Sequence, residues 1–359
     1  MNHRSIALQA DRARIDEHWE RALAESDIHI SLRPFWTEAI ARARGLLGEI
    51  QVLEGPQGVL PWFRRKVRGN GIPLRRLELA GNLHCYHQEI PTAAAPGTLI
   101  HELLDTEAWD LFAAESVNQD GPTARALHSY ADEVGARVET LPAEHSPYLP
   151  IEGDWDAYLA AQSRNFRYNL GRRRRKLEKM GLEERWFRTE DEVPELLDLM
   201  WAVEERSWKV EADMAMLAES HERVLWRGVL PELARRGLLQ ANVLYVEGKP
   251  AAYSLCYHWR GSVGQLKTSF DNGLKKLGPG GVVTETSIRL AFEQGAREYD
   301  FLGPWMHHKA LWTDKVRVHE HMYLYAPNLR GRLVWAIKGL RNRLASRAES
   351  ATDATQEQH

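Results

Sequence analysis

Three strand-like runs stand in succession between Leu238 and Gly273: LLQANVLYVEG, KPAAYSLCYHWRG and SVGQLKTSFDNG. Gly248-Lys249 and Arg260-Gly261 fall where tight hairpins need them, so the segment reads as an antiparallel meander. It is followed by KKLGPGGVVTETSI, a helical pattern to Gly295, and the strand-like REYDFLGPW. A strand returning after one helix must lie parallel beside the third strand, through a right-handed crossover. Ile288, Ala291 and Phe292 share a helix face that can pack on the sheet, with Gly295 as the stop. The helix therefore starts at the carboxyl end of the QLKTSF strand, where α/β sheets bind ligands. Its start at Gly278, Gly280, Gly281 and Val282 offers N–H groups without intruding side chains, a phosphate-sized concavity. The same Gly-Pro-Gly-Gly also suits a plain tight turn before a Pro-initiated helix. Neither G-x-x-x-x-G-K-[ST] nor G-x-G-x-x-G is present.

The 359 residues suffice for about two domains. With 43% hydrophobic and 27% charged residues the chain can build sizeable cores. A net charge of −3 means that any polyanion binding must rest on a local patch, and no DNA partner is expected. Cys85 and Cys256 are far apart, which argues against disulfide scaffolds and thiolate zinc sites. The N-terminal residues lack the apolar core of a secretory signal, and no run approaches a membrane span. A cytoplasmic location is the default.

The first 150 residues read as mixed helix and strand. FWTEAIARARG is helical, EIQVLEGPQGVLPWFRRKV a hairpin, and RRLELAG and ARVETLP are strands. Helices are predicted over Thr98–Asn118 and Gly121–Val134, and EHSPYLPIEGD as the link between halves. Beyond it, DWDAYLAAQSRNFRYNLGRRRRKLEKMG predicts a helical pair broken near Gln162–Asn165, followed by helices in VPELLDLMWAVEERSW and SHERVLWRGVLPELARRG. The domains are thus expected at 1–150 and 151–328, with a basic amphipathic helix over 329–345 and a disordered tail over 346–359. In that last helix Leu333, Ile337, Leu340 and Leu344 form one stripe, which suits docking on the body or a membrane surface.

The meander, glycine-bearing loop, helix and YDFLG resemble the GNAT acyltransferase fold. The resemblance is closer to the CelD-like, Fem-related branch, through WDAYLAAQSRNFRYNLGRRRRKLEKMG, RSWK, GKPAAYSL, LGPGG, REYDFLGPW and HKALW. It implies an α/β (α+β mixed sheet) chain with two tandem GNAT-like domains, the C-terminal one better preserved. It also implies an N-acyltransferase moving an acyl group from acyl-coenzyme A to an amine, on an amino sugar or a cell-envelope precursor. The glycine loop is shorter than the usual GNAT loop, as in the Fem relatives, which use aminoacyl-tRNA, so tRNA stays open as donor and partner. A non-catalytic module binding a phosphorylated glycan is the third reading.

The candidate residues follow. Lys267, Ser269 and Asp271 lie on one face of the strand that, by resemblance, borders the thioester. An attacking amine needs a base, and Asp271 is the first choice, although DNG is also a turn signal. By the resemblance Tyr299 could protonate the leaving thiolate, and Lys309 matches the lysine of the Fem-type motif that stabilises charge or binds a donor phosphate. Eight cations against Glu178 stand between Ser163 and Met180, so Arg172, Arg173, Arg175 and Lys176 are candidate anion contacts. Trp208 and Lys209 suit a sugar or adenine, and His84 and Tyr86 the acceptor. His307 and His308 are adjacent, side chains diverging and without carboxylate or cysteine at ligand spacing, so no metal is expected.

Overall fold

The structure is a computed structural model that describes residues 4–24, 29–56, 58–82, 87–92, 96–207, 209–210 and 221–341. In chain order the elements are β1 (Arg4–Ala7), α1 (Arg12–Ala24), α2 (Pro34–Ala43), β2 (Gln51–Gly55), β3 (Gly58–Gly69), β4 (Ile72–Leu79), α3 (Gly97–Thr106), β5 (Leu111–Asn118) and α4 (Pro122–Val134). There follow β6 (Arg137–Pro150), α5 (Trp155–Ala161), α6 (Arg164–Glu178), β7 (Glu183–Phe187), α7 (Val193–Glu204), α8 (His221–Arg235), β8 (Leu239–Val246), β9 (Lys249–Trp259) and β10 (Ser262–Phe270). The last are α9 (Pro279–Glu293), β11 (Glu298–Asp300), α10 (His307–Ala310), β12 (Val316–Tyr325) and a helix over 329–341.

Two compact units divide the chain: Met1–Thr37, Leu46–Ala143 and His319–His359 form one, Glu38–Gly45 and Glu144–Val318 the other. The same order of elements occurs twice along the chain. β1-α1-α2-β2-β3-β4-α3-β5 is matched by β7-α7-α8-β8-β9-β10-α9-β11, and in each the last strand is parallel to its neighbour. The repetition has no residue-level signature; it is carried by topology alone. The closing strands are exchanged. β6 ends on β11 in the second unit, and β12 ends on β5 in the first.

The meander forms as its turns dictate. Glu247 and Gly248 (φ 51° and 72°) and Arg260 and Gly261 (φ 49° and 77°) place consecutive left-handed residues at each hairpin, the twist that matches right-handed strands. α9 then crosses back, burying Val282, Val283, Ile288, Ala291 and Phe292 against the sheet and α6. The valine, isoleucine and phenylalanine side chains each contribute roughly 1.5–3 kcal/mol of transfer free energy.

Four readings change. Leu111–Asn118 is strand β5, although its Ala and Glu content favours helix; the ladders on β4 and β12 override that propensity. Pro147 and Pro150, read as a link, lie in β6, whose pairing with β11 needs only the last three residues. Glu183–Phe187 forms β7, a strand the acidic EERW obscures, paired along β8. In the 329–341 helix Val334 is buried beside Leu74 and Tyr325, while Leu333 and Leu340 of the anticipated stripe are exposed.

Candidate active site

β10 and β11 pair only at Ser262–Gly264 with Glu298–Asp300. Beyond Gly264, β10 runs six residues further to Phe270, kinked by a register shift between Gln265 and Lys267. Beyond Asp300 the other chain turns away through two successive left-handed residues, Leu302 (φ 47°) and Gly303 (φ 58°). The strands therefore diverge from a common base, and the second unit carries a wedge between them.

On one side of β10 stands the start of α9, three residues earlier than Val282. Gly278 adopts φ 69° as its cap, Pro279 carries no N–H, and Gly281 N–H turns back to Gly278 O at 3.2 Å. Helix geometry leaves the Gly280 N–H without a carbonyl of its own helix. A side chain at these positions would collide with functional neighbours. A Cβ on Gly278 would lie 2.8 Å from Arg173 Cδ, one on Gly281 3.1 Å from an Arg173 terminal nitrogen, and one on Gly280 2.8 Å from Phe270 Cδ1. The glycines thus let the Arg173 guanidinium of α6 lie against the positive end of α9. Two cationic features so close together suit an anion.

The arginine run divides by role. Arg174 bridges Glu184 Oε1 (2.9 Å), Glu285 Oε2 (3.1 Å) and Thr286 Oγ1 (2.9 Å), tying α6 to α9 and β7. Arg172 stacks over Tyr168, and Arg175 and Lys176 are exposed. Among the described residues Arg173 makes no ion pair.

The other side of β10 holds a buried charged cluster. Lys209 Nζ donates to Thr268 O (2.7 Å) and Glu204 Oε1 (2.9 Å), and Tyr253 Oη donates to the same carboxylate oxygen at 2.5 Å. Burial pushes the Lys209 ammonium below its ordinary range against the pull of Glu204. Lys267 pairs with Glu222 of α8. On the opposite lip Lys309, 7% exposed, donates to Leu302 O (2.5 Å) and Pro304 O (3.0 Å). Burial brings its pKa down to about 8, and that of neighbouring His308 to about 4. Glu204 Oε2 and Ser269 Oγ are buried with no hydrogen-bond partner among the described residues, which suits a polar guest. Trp305, two residues beyond Gly303, exposes 53% of its surface.

Sequence reasoning brings Lys209, Lys267, Ser269, Lys309, Arg173 and the glycines to this wedge. It placed two residues in roles the geometry does not support. Asp271 caps the turn that follows β10: Oδ1 accepts from Gly273 N–H at 2.8 Å and Oδ2 from Arg206 Nε at 2.6 Å. Tyr299 is fully buried, its hydroxyl 3.6 Å from Cys256 Sγ in the core beneath α9, and burial drives its pKa far up. Glu204 and Tyr253 were missed, since a glutamate at a helix end and a strand tyrosine carry no motif. His84, Tyr86 and Trp208 lie outside the described residues.

Residues 164–310 match the acetyltransferase (GNAT) domain family. Among solved structures, FemX superposes with a TM-score of 0.61 at 13% identity, over 94% of this chain and 100% of that one. A conserved protein of unknown function from Bacteroides thetaiotaomicron gives 0.59 at 13% identity, over 90% of this chain and 99% of that chain. The C-terminal domain of a putative lysylphosphatidylglycerol synthetase from Agrobacterium fabrum gives 0.55 at 11%, over 91% and 95%. No curated protein matches the sequence. Residues 164–310 thus carry the match to the acetyltransferase (GNAT) domain family, and the chain as a whole has the fold of these solved structures, with its order of elements repeated in tandem.

Proposed function

We propose that the second unit moves an acyl group from an acyl-coenzyme A thioester to a primary amine. The observation that carries the donor is Arg173 lying against Gly278 and Gly281 at the start of α9. Pyrophosphate on Arg173 and the Gly280 amide, with Lys275 and Lys276 of the preceding turn nearby, leads the pantetheine arm into the wedge beside β10. The acyl carbonyl then lies between Lys267–Phe270 and Phe301–Pro304, and the amine approaches from the side of Lys209 and Lys309. The acceptor class is an amino sugar or a cell-envelope precursor bearing one. Its support is the exposed Trp305 ring, a flat apolar face for a pyranose, together with the buried Glu204 and Ser269 oxygens that lack partners among the described residues.

Titration calorimetry with coenzyme A tests the donor. Binding in the micromolar range, weakened at least tenfold by Arg173→Glu, is expected. Unchanged binding in that variant refutes the phosphate assignment.

A further inference from the structure

Acyl transfer to an amine needs a proton acceptor, because the amine is protonated at neutral pH and has no lone pair to attack with. Asp271 has both oxygens engaged, and Tyr299 is sealed in the core. We propose that Lys309 is the base that deprotonates the acceptor amine, a role that rests on the acyl-transfer reading above.

The geometry holds the amine nitrogen on two carbonyls and leaves one of its positions open. An amine nitrogen has four tetrahedral positions: one bonded to carbon, two directed here at Leu302 O and Pro304 O, and one left over. With two hydrogens on the carbonyls, the fourth position carries a lone pair in the neutral form and a third hydrogen in the cation. The turn that presents the carbonyls contains a non-glycine residue in left-handed backbone, a local cost tolerated where the surroundings require it. Leu302 N–H is fixed by Asp300 Oδ1 at 2.8 Å, and Asp300 is occupied by Arg317 at 2.6 Å, which holds the turn from below. Across the wedge Lys209 is held by Thr268 O, so each lip presents a lysine anchored by main-chain carbonyls.

The groups facing Lys309 set its protonation. Burial disfavours the cation most, and Lys209, from the α7–α8 connection, adds repulsion. Asp300 of β11 and Glu144 of β6 oppose them, and His308, beside it on α10, is kept neutral. Burial prevails, so a large share of Lys309 is neutral near pH 8.

The step balances. Neutral Lys309 takes one proton from the acceptor ammonium; the freed lone pair forms the C–N bond at the thioester carbonyl. Collapse of the tetrahedral adduct breaks the C–S bond, and the second nitrogen proton goes to the departing thiolate. The products are an amide and coenzyme A thiol, and Lys309 returns its proton to solvent.

Lys309→Met and Lys309→Arg test the role, with acetyl-coenzyme A as donor, glucosamine as the amine probe and thiol release as the readout. A base predicts that both lower kcat/KM by about 10²–10⁴-fold, with coenzyme A binding in calorimetry within twofold of the parent. An arginine variant retaining more than a tenth of the activity shows that charge alone suffices and overturns the proposal. Loss of coenzyme A binding by the parent protein would sink the donor reading instead. ¹³C-lysine NMR decides Lys309 without any acceptor: the signal absent from Lys309→Met should titrate near pH 8, and a midpoint above 10 overturns the assignment.

Discussion

Neighbouring arginines 173 and 174 differ by one position on α6 and should separate function from stability. Arg174 is 29% exposed at its side chain and serves Glu184, Glu285 and Thr286. Removing one partner of a fully buried pair costs about 3–5 kcal/mol. Arg174 is nearly one-third exposed and Glu285 can take up a proton, so screening and protonation reduce the loss for Arg174→Ala to about 2 kcal/mol. Glu285 is already raised by burial and held down by Arg174. Without the arginine its pKa rises further, so the folded state binds a proton the unfolded state does not. The penalty is therefore largest near neutrality and shrinks as the pH falls. Arg173→Ala removes no ion pair among the described residues, and its stability should stay within about 0.5 kcal/mol. It removes one charge-assisted phosphate contact of about 1.5–3 kcal/mol, or about 10–100-fold in Kd for coenzyme A. Urea unfolding at pH 7 and pH 5 gives the first quantity and calorimetry the second. Equal destabilisation by the two variants, or coenzyme A binding untouched by Arg173→Ala, refutes the division of roles.

Asp271→Asn keeps an acceptor for Gly273 N–H and loses only a half-exposed ion pair with Arg206. Stability should fall by less than about 1 kcal/mol and kcat within threefold; a hundredfold loss of rate would restore Asp271 as the base. Tyr299→Phe gives up only core contacts of the hydroxyl, with Cys256, Ser254 and Ser287, so thiol release should run at the parent rate, and a large fall in kcat would mean the hydroxyl reaches the leaving group. Cys256, buried and with its thiol pushed up, should react with a thiol reagent only as fast as the protein unfolds.

The second unit was legible because its signals are local. Left-handed turn positions at Gly248 and Gly261 set the meander, and helical spacing of Ile288, Ala291 and Phe292 set the crossover. The wedge followed from those two, since parallel pairing after a crossover fixes where the helix starts. What failed was information held elsewhere in the chain. β5 looks helical because its strand character comes from β4 and β12, and β12 lies about two hundred residues away. Alternation placed Lys267, Ser269 and Asp271 on one face correctly in period, but the fate of Asp271 depends on Arg206, which the loop after α7 supplies. Lys309 was marked by resemblance as a fixed cation. Its softened basicity comes from burial and from Lys209, neither of which a motif encodes.

The repeated topology poses the question of why the first unit should not carry a second such site, and the strand registers answer it. In the second unit the parallel pairs use the first three residues of β10, so six residues project past them. In the first unit the pairs are Arg76–Glu78 with Leu111–Ala113, at the far end of β4, which stops one residue later at Leu79. β5 continues instead to Asn118, and on its edge facing β4 Gln88 bridges to Val117, its N–H donating to Ser116 O at 2.9 Å, so that side of any wedge is filled. The cavity beside Gly97, about 380 Å³, lies between the starts of α3 and α4, lined by His101, Pro122 and Arg125, and not between strands. Among the described residues only Ala126 Cβ, at 3.9 Å, would meet a Cβ on Gly97, and no arginine lies within 4 Å of it as Arg173 does at Gly278. Gly97→Ala should therefore raise stability by about 0.5 kcal/mol through lower unfolded-state entropy and leave coenzyme A binding unchanged. Gly280→Ala drives a methyl to 2.8 Å from Phe270 Cδ1, and the overpacking of about 1–3 kcal/mol exceeds the helical gain of about 1 kcal/mol. It should lose stability modestly and weaken coenzyme A more than tenfold. If Gly97→Ala weakens coenzyme A as much as Gly280→Ala does, the donor is bound in the first unit and the wedge is not its site.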